Sequence, residues 1–158
     1  MLKDVIGVLI AIVICVIAGV IGSIFTTPSI PTWYASLNKP PFNPPNWIFG
    51  PVWTTLYILM GIAAYLVWRN GIGKKEVKTA VFVFALQLIL NSLWSFIFFG
   101  QHWMLLAFCE IIILWLAILF TIIKFWPIST AAGLLLLPYI FWVSFASILN
   151  FSIWLLNK

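Results

Sequence analysis

A chain of 158 residues that is 65% hydrophobic and only 7% charged departs from soluble domains, where about 25% of residues are charged. With a mean hydropathy of +1.19, it reads as an integral membrane protein built as a single domain, residues 1–158. The net charge of +5 is not a nucleic-acid footprint, because the basic residues fall in the connections, where membrane topology explains them.

Five apolar runs follow one another, at 5–25, 48–68, 79–99, 104–123 and 130–156. Lipid offers no partner to a backbone N–H or C=O, so each run is expected to be a helix. The first four have the length that crosses a bilayer, about 20 residues for a 30 Å core. The fifth is longer, and Pro138 within it predicts a kink. The runs are continuous and do not alternate, which excludes a β-barrel. The expected fold is all-α: one bundle of five transmembrane helices.

The first run is too long for the apolar part of a signal peptide and no clear cleavage site follows, so it is read as a permanent helix. Gly7, Ala11, Cys15, Gly19 and Ser23 recur every four residues. Such a small-residue stripe lets backbones approach closely, either within one chain or at a dimer seam. Cys15 and Cys109 both fall in apolar runs and are expected as packed free thiols.

Between the first two runs lies WYASLNKPPFNPPNW. Residues 26–46 hold six of the nine prolines, which fix φ and remove donors, so a stiff extended path is expected. Ser36, Asn43 and Asn46 offer turn and cap chemistry. A loop of this length, carrying Trp33, Tyr34, Phe42 and Trp47, reads as a lid over an intramembrane pocket.

Six of the eight basic residues, Lys3, Arg69, Lys74, Lys75, Lys78 and Lys124, collect on the N-terminal side; only Lys39 and Lys158 lie opposite. In a plasma membrane this places the N-terminus in the cytoplasm and the proline-rich loop outside. The short basic connections serve topology, with contact to lipid headgroups as a further use.

Of the ten tryptophans, Trp47, Trp68, Trp103, Trp126 and Trp154 fall near span ends, as interfacial anchors do. Trp53, Trp94, Trp115 and Trp142 lie inside spans. Gln87, Asn91, Trp94 and Ser95 share one helix face. Pro138, Trp142, Phe145, Ala146 and Leu149 share another, and Trp53, Tyr57 and Met60 a third. These faces predict either a flat aromatic cavity in the outward half of the bundle or interhelical packing with Asn91 and Gln87 hydrogen-bonded. Glu110 is the one acid inside a span; it is either functional or a structural group that is protonated or bonded to a neighbouring helix. The lone His102, in a tight turn, predicts no metal site and no axial ligand for a haem iron. No nucleotide loop, credible catalytic set or internal repeat is present.

The stretch WYASLNKPPFNPPNWIFGPVWTTLYILMGIAAYLVW, with QLILNSLWSFIFFG at 87–100, Glu110 and PYIFWVSFASILNF at 138–151, resembles the TspO/MBR family of tryptophan-rich sensory and translocator proteins. The resemblance spans essentially the whole chain. It implies a homodimer of five-helix chains that binds protoporphyrin IX and benzodiazepine- or isoquinoline-type ligands in one pocket beneath the first loop. By position, the pocket residues would be Trp33, Lys39, Trp53, Asn91, Trp94, Trp142 and Ala146. Ala146 matches a family position where a bulkier residue weakens ligand binding. Phe151 and Leu155 stand where the animal members' cholesterol-recognition stretch needs Tyr and Arg, so the resemblance carries no intact sterol motif into this chain. A bacterial plasma-membrane member fits its short tail.

Three functions agree with the resemblance: a porphyrin-binding sensor; light- and oxygen-dependent porphyrin degradation, with Trp53 or Trp142 exchanging electrons with the excited ligand; and a transporter of porphyrin or other small apolar ligands. None requires a resident cofactor, since protoporphyrin IX is ligand or substrate.

Overall fold

The computed structural model describes residues 2–158. Its elements are α1 (Leu2–Ser29), α2 (Trp33–Ser36), α3 (Asn46–Trp68), α4 (Lys75–Ser95), α5 (Met104–Phe125), α6 (Thr130–Leu135) and α7 (Leu137–Leu156). Five helical stretches are long and apolar enough to cross a membrane: α1, α3, α4 with its extension to Gly100, α5, and α6 with α7. No strand occurs among the described residues.

The helices extend beyond the expected bounds where local chemistry permits. α1 passes through Pro28, which stands in the final turn, where only one ladder bond is lost; Ile30 N–H still donates to Thr26 O at 3.1 Å. α4 runs into a wide π turn at Phe96–Gly100, closed by Gln101 N–H on Phe96 O at 2.9 Å. The fifth span breaks at Leu136, with Pro138 in the first turn of α7, as the proline predicts.

The proline-rich loop is less extended than expected. It contains the helical turn α2, and a further turn is closed by Asn43 N–H on Pro40 O at 3.0 Å. The residue capping α3 is Pro45, with no side-chain cap bond, so Asn46 does not have the capping role its type suggests. Asn43 instead accepts the Tyr34 hydroxyl at 2.7 Å. Asn38 and Asn157 pair reciprocally: Asn38 N–H donates to Asn157 Oδ1 at 3.0 Å and Asn157 Nδ2 to Asn38 O at 2.8 Å. The loop therefore crosses the end of the bundle and is tied to the end of α7.

Packing runs in a ring. α1 lies against α3 and α4, α5 against α4 and α7, and α6 closes onto α3. The small-residue stripe is used inside the chain. Gly7 faces the Tyr65 ring, Gly19 faces the Tyr57 ring, and Cys15 is buried. Cys109, expected to be packed, is exposed, and both thiols are free. The outer face of α1 presents large aliphatic residues from Val5 to Ile24, as a lipid-facing surface does.

α3 meets α6 closely but hardly approaches α7. Rings span that separation: Phe49 lies edge-on to Trp142 at 6.0 Å, and Trp53 edge-on to Tyr139 at 6.2 Å. This spacing leaves room for a cavity.

Candidate functional site

A cavity of about 520 Å³ lies in the half of the bundle nearest the proline-rich loop, within the range of small-molecule sites, about 300–1,000 Å³. Its walls come from α1, α3, α4, α5 and α7, with Tyr34 from the loop. Trp53, Asn91, Trp94, Trp142 and Ala146 all line it. Trp33 and Lys39 do not.

Those two act on the cavity's edge instead. The Trp33 indole stacks on the His102 imidazole, centroids 4.1 Å apart and planes 14° apart. His102 is thus exposed and stacked through one face on Trp33. Its φ of +59° lies in the left-handed region, which a non-glycine residue enters at a cost. Lys39 Nζ donates to Ala35 O and Leu37 O at 3.3 and 3.1 Å and sits 4.9 Å from the centre of the Tyr34 ring. Tyr34 is nearly fully buried, and burial pushes its hydroxyl up to about 12, so it remains a donor to Asn43.

One end of the cavity rests on a polar network that the shared face on α4 only partly foretells. The Tyr57 hydroxyl donates to Asn91 Oδ1 at 2.5 Å, Asn91 Nδ2 donates to Tyr139 Oη at 3.0 Å, and the Tyr139 hydroxyl donates to Gln87 Oε1 at 2.9 Å. Asn91 and Gln87 thus do both jobs the sequence left open: Asn91 lines the cavity, and both amides tie α3, α4 and α7 together. A buried amide with both ends engaged fixes its own orientation.

The indoles divide by their partners. Trp94 Nε1 donates to Asn150 Oδ1 at 3.1 Å, and Asn150 Nδ2 donates to Met104 O at 2.9 Å. Trp115 Nε1 donates to Ser144 Oγ at 2.8 Å, which makes it a tie between α5 and α7 away from the cavity. Trp53 stacks on Tyr57 at 5.7 Å. Trp142 Nε1 is buried with no partner among the described residues, an arrangement that costs free energy unless something else accepts the proton. Asn150, Phe98 and Phe99 also belong to the lining. Sequence reasoning missed them, although QLILNSLWSFIFFG and PYIFWVSFASILNF contain them; the π turn redirects Phe98 and Phe99 in a way that a 3.6-residue count does not foresee, whereas Asn150 follows Trp142 and Ala146 at four-residue spacing on α7 and was open to the same count.

Glu110 is buried, neither carboxyl oxygen has a partner among the described residues, and it is not part of the cavity lining. Of the two readings, the functional one finds no support from the cavity, and of the two structural alternatives the bond to a neighbouring helix is not found among the described residues.

Comparison with known proteins places this architecture. Residues 11–155 match the model of the TspO/MBR family. The chain is 49% identical over 151 residues to a tryptophan-rich protein TspO of Archaeoglobus fulgidus, covering 94% of this chain and 96% of the relative. It is 40% identical to a tryptophan-rich sensory protein of Cereibacter sphaeroides, covering 79% and 77%. To a human translocator protein it is 38% identical, covering 85% and 80%.

Proposed function

This chain belongs to the TspO/MBR family and is a multi-pass integral membrane protein, and from that premise we propose that it is a membrane receptor for flat, largely apolar ligands. Protoporphyrin IX and benzodiazepine- or isoquinoline-type molecules are the ligand class. The observation that carries the reading is the cavity of about 520 Å³ faced by Trp53, Trp94 and Trp142. Indole faces suit planar π-systems, and the uncommitted Trp142 Nε1–H supplies a donor for a ligand carbonyl or carboxylate.

The proline-rich loop acts as the lid. Tyr34 forms part of the cavity roof, while Trp33 on His102 and Lys39 on the carbonyls of Ala35 and Leu37 hold that roof in place. The family resemblance supports a homodimer in a bacterial plasma membrane, and the basic-residue bias supports an N-terminus inside and a loop outside.

Light- and oxygen-dependent degradation of the bound porphyrin is a second activity of the same site: dioxygen is the oxidant that cleaves the macrocycle, and Trp142 and Trp53 at the cavity wall exchange electrons with the photo-excited ligand. It needs no acid–base pair. The deciding experiment is titration of detergent-purified protein with protoporphyrin IX, followed by tryptophan-fluorescence quenching, then illumination of the same samples. Saturable quenching with a defined product in light supports a degrading receptor. Saturable quenching without product leaves a sensor, and absence of saturation removes the porphyrin reading.

A further inference from the structure

The cavity has an opening, and its position is informative. Every exposed residue of the lining belongs to α1 or α3. Val20, Ser23 and Thr27 form one side of the gap; Trp47, Gly50 and Thr54 form the other. From the loop the lining receives the half-buried Ile30 and the buried Tyr34, beneath a segment tied down by the Asn38–Asn157 pair. The opening therefore faces sideways, between two helices that both belong to membrane spans.

The close approaches of α1 and α3 lie away from the opening. Near the opposite end α1 and α3 are pinned in backbone contact: a Cβ added at Gly61 would lie 2.5 Å from Ile12 Cα. Towards the loop, α1 leans on α4, where a Cβ at Gly22 would meet Ser95 Oγ at 3.0 Å. On α3 at the same end, a Cβ at Gly50 would meet nothing within 4 Å. The α1–α3 glycine contact nearest the loop is the Tyr57 ring on Gly19, and the opening lies on the loop side of it.

The edges of the gap are also chemically prepared for lipid. Ser23 Oγ donates to Val20 O at 2.7 Å, and Thr54 Oγ1 to Gly50 O at 2.9 Å. Each hydroxyl satisfies its proton on its own helix and keeps its lone pairs for a passing polar group. In hydrocarbon this avoids the cost of an unsatisfied donor.

We propose that the α1–α3 gap is the door through which the cavity takes its ligand directly from the bilayer. The substrate class is a planar, mostly apolar molecule with one polar edge, already dissolved in the leaflet on the loop side. The loop then serves as a fixed roof and need not open at each binding event. This proposal rests on the receptor reading above.

The test uses the full chain in phosphatidylcholine nanodiscs, with protoporphyrin IX as probe and stopped-flow fluorescence quenching as readout. Gly50→Phe and Val20→Phe, from opposite edges of the gap, should each slow association tenfold or more; two variants guard against one that fails to fold. Asn157→Ala, which frees the loop, should leave the association rate unchanged. Saturable binding with both Phe variants at the wild-type rate overturns the door, as does a tenfold faster association in Asn157→Ala; both leave the receptor reading intact. A second copy seated on the gap would instead give a disulfide-linked dimer of Thr27→Cys with unimpeded binding, and that too overturns the door. Absence of saturable binding in wild type overturns both readings.

Discussion

The Tyr57 hydroxyl donates to Asn91 Oδ1 at 2.5 Å across the α3–α4 interface, and this bond joins the wall of the cavity to the polar core of the bundle. Tyr57 also bears on Gly19 of α1 and stacks on Trp53. One residue thus sets three helices around the ligand space. Asn91→Leu is expected to destabilise the fold by about 1–3 kcal/mol, because it strands the Tyr57 hydroxyl without its acceptor. Ligand affinity should fall with the loss of wall geometry. Unfolding in a denaturing detergent series measures the first effect; a stability equal to wild type would mean that the network does not carry load.

Ala146 lines the cavity from α7, and its neighbourhood is crowded with rings, Trp142 lying 5.5 Å from Phe145. Ala146→Thr adds two heavy atoms at the cavity wall, so the site is overfilled only when a ligand occupies it, at a cost of about 1–3 kcal/mol to binding. Affinity for a flat ligand should drop about tenfold or more, with thermal stability nearly unchanged. Unaltered affinity in a quenching titration would show that the ligand does not reach this wall.

Much of this architecture is legible in the chain, for a physical reason. A bilayer admits only helices here, so five apolar runs gave five spans, and Pro138 marked the break at Leu136. The faces bearing Trp53, Asn91, Trp94, Trp142 and Ala146 follow from helical periodicity and do meet at one cavity. What periodicity cannot supply is the partner of each polar group. Trp33 was expected in the pocket and stacks on His102 instead, because a loop's path depends on contacts made far away, such as Asn38 with Asn157. Phe98 and Phe99 were passed over because the π turn shifts their directions.

Glu110 has two buried oxygens, away from the cavity, that find no partner among the described residues. A carboxyl in that position costs desolvation with nothing in return. Glu110→Leu should therefore raise stability by about 1–3 kcal/mol, and Glu110→Gln should leave it close to wild type. Neither should change ligand affinity. Loss of binding in the Gln variant, measured by the same titration, would make the carboxyl part of the site.

Tyr34 gives the loop a pH limit. Burial pushes its hydroxyl up to about 12, above the ordinary value of ~10. An acid whose folded pKa is raised stabilises the fold fully below the unfolded value, and that contribution is lost as pH rises through the window between the two. The loop should stay docked up to about pH 10 and loosen between about 10 and 12. Limited proteolysis of the loop across that range checks it. Tyr34→Phe, which has no proton to lose, should remove this pH step while weakening docking at every pH through the lost bond to Asn43.

Substitution of Trp142 tests the proposed binding and the proposed photochemistry separately. Its ring forms part of the cavity wall and meets Phe49 at 6.0 Å, while its Nε1–H is buried with no partner among the described residues. Phe fills most of the same volume and removes that stranded donor, so Trp142→Phe should keep the fold at or slightly above wild-type stability. Affinity for protoporphyrin IX should fall by no more than about tenfold, the worth of one hydrogen bond of about 1 kcal/mol together with part of the stacking area. Degradation in light should fall much further, since a phenyl ring is far harder to oxidise than an indole. Binding and product yield are measured on the same samples, before and after illumination. Product yield equal to wild type would move the electron donor to Trp53, which stacks on Tyr57 at 5.7 Å and borders the same cavity; the double variant would then be the one to lose turnover.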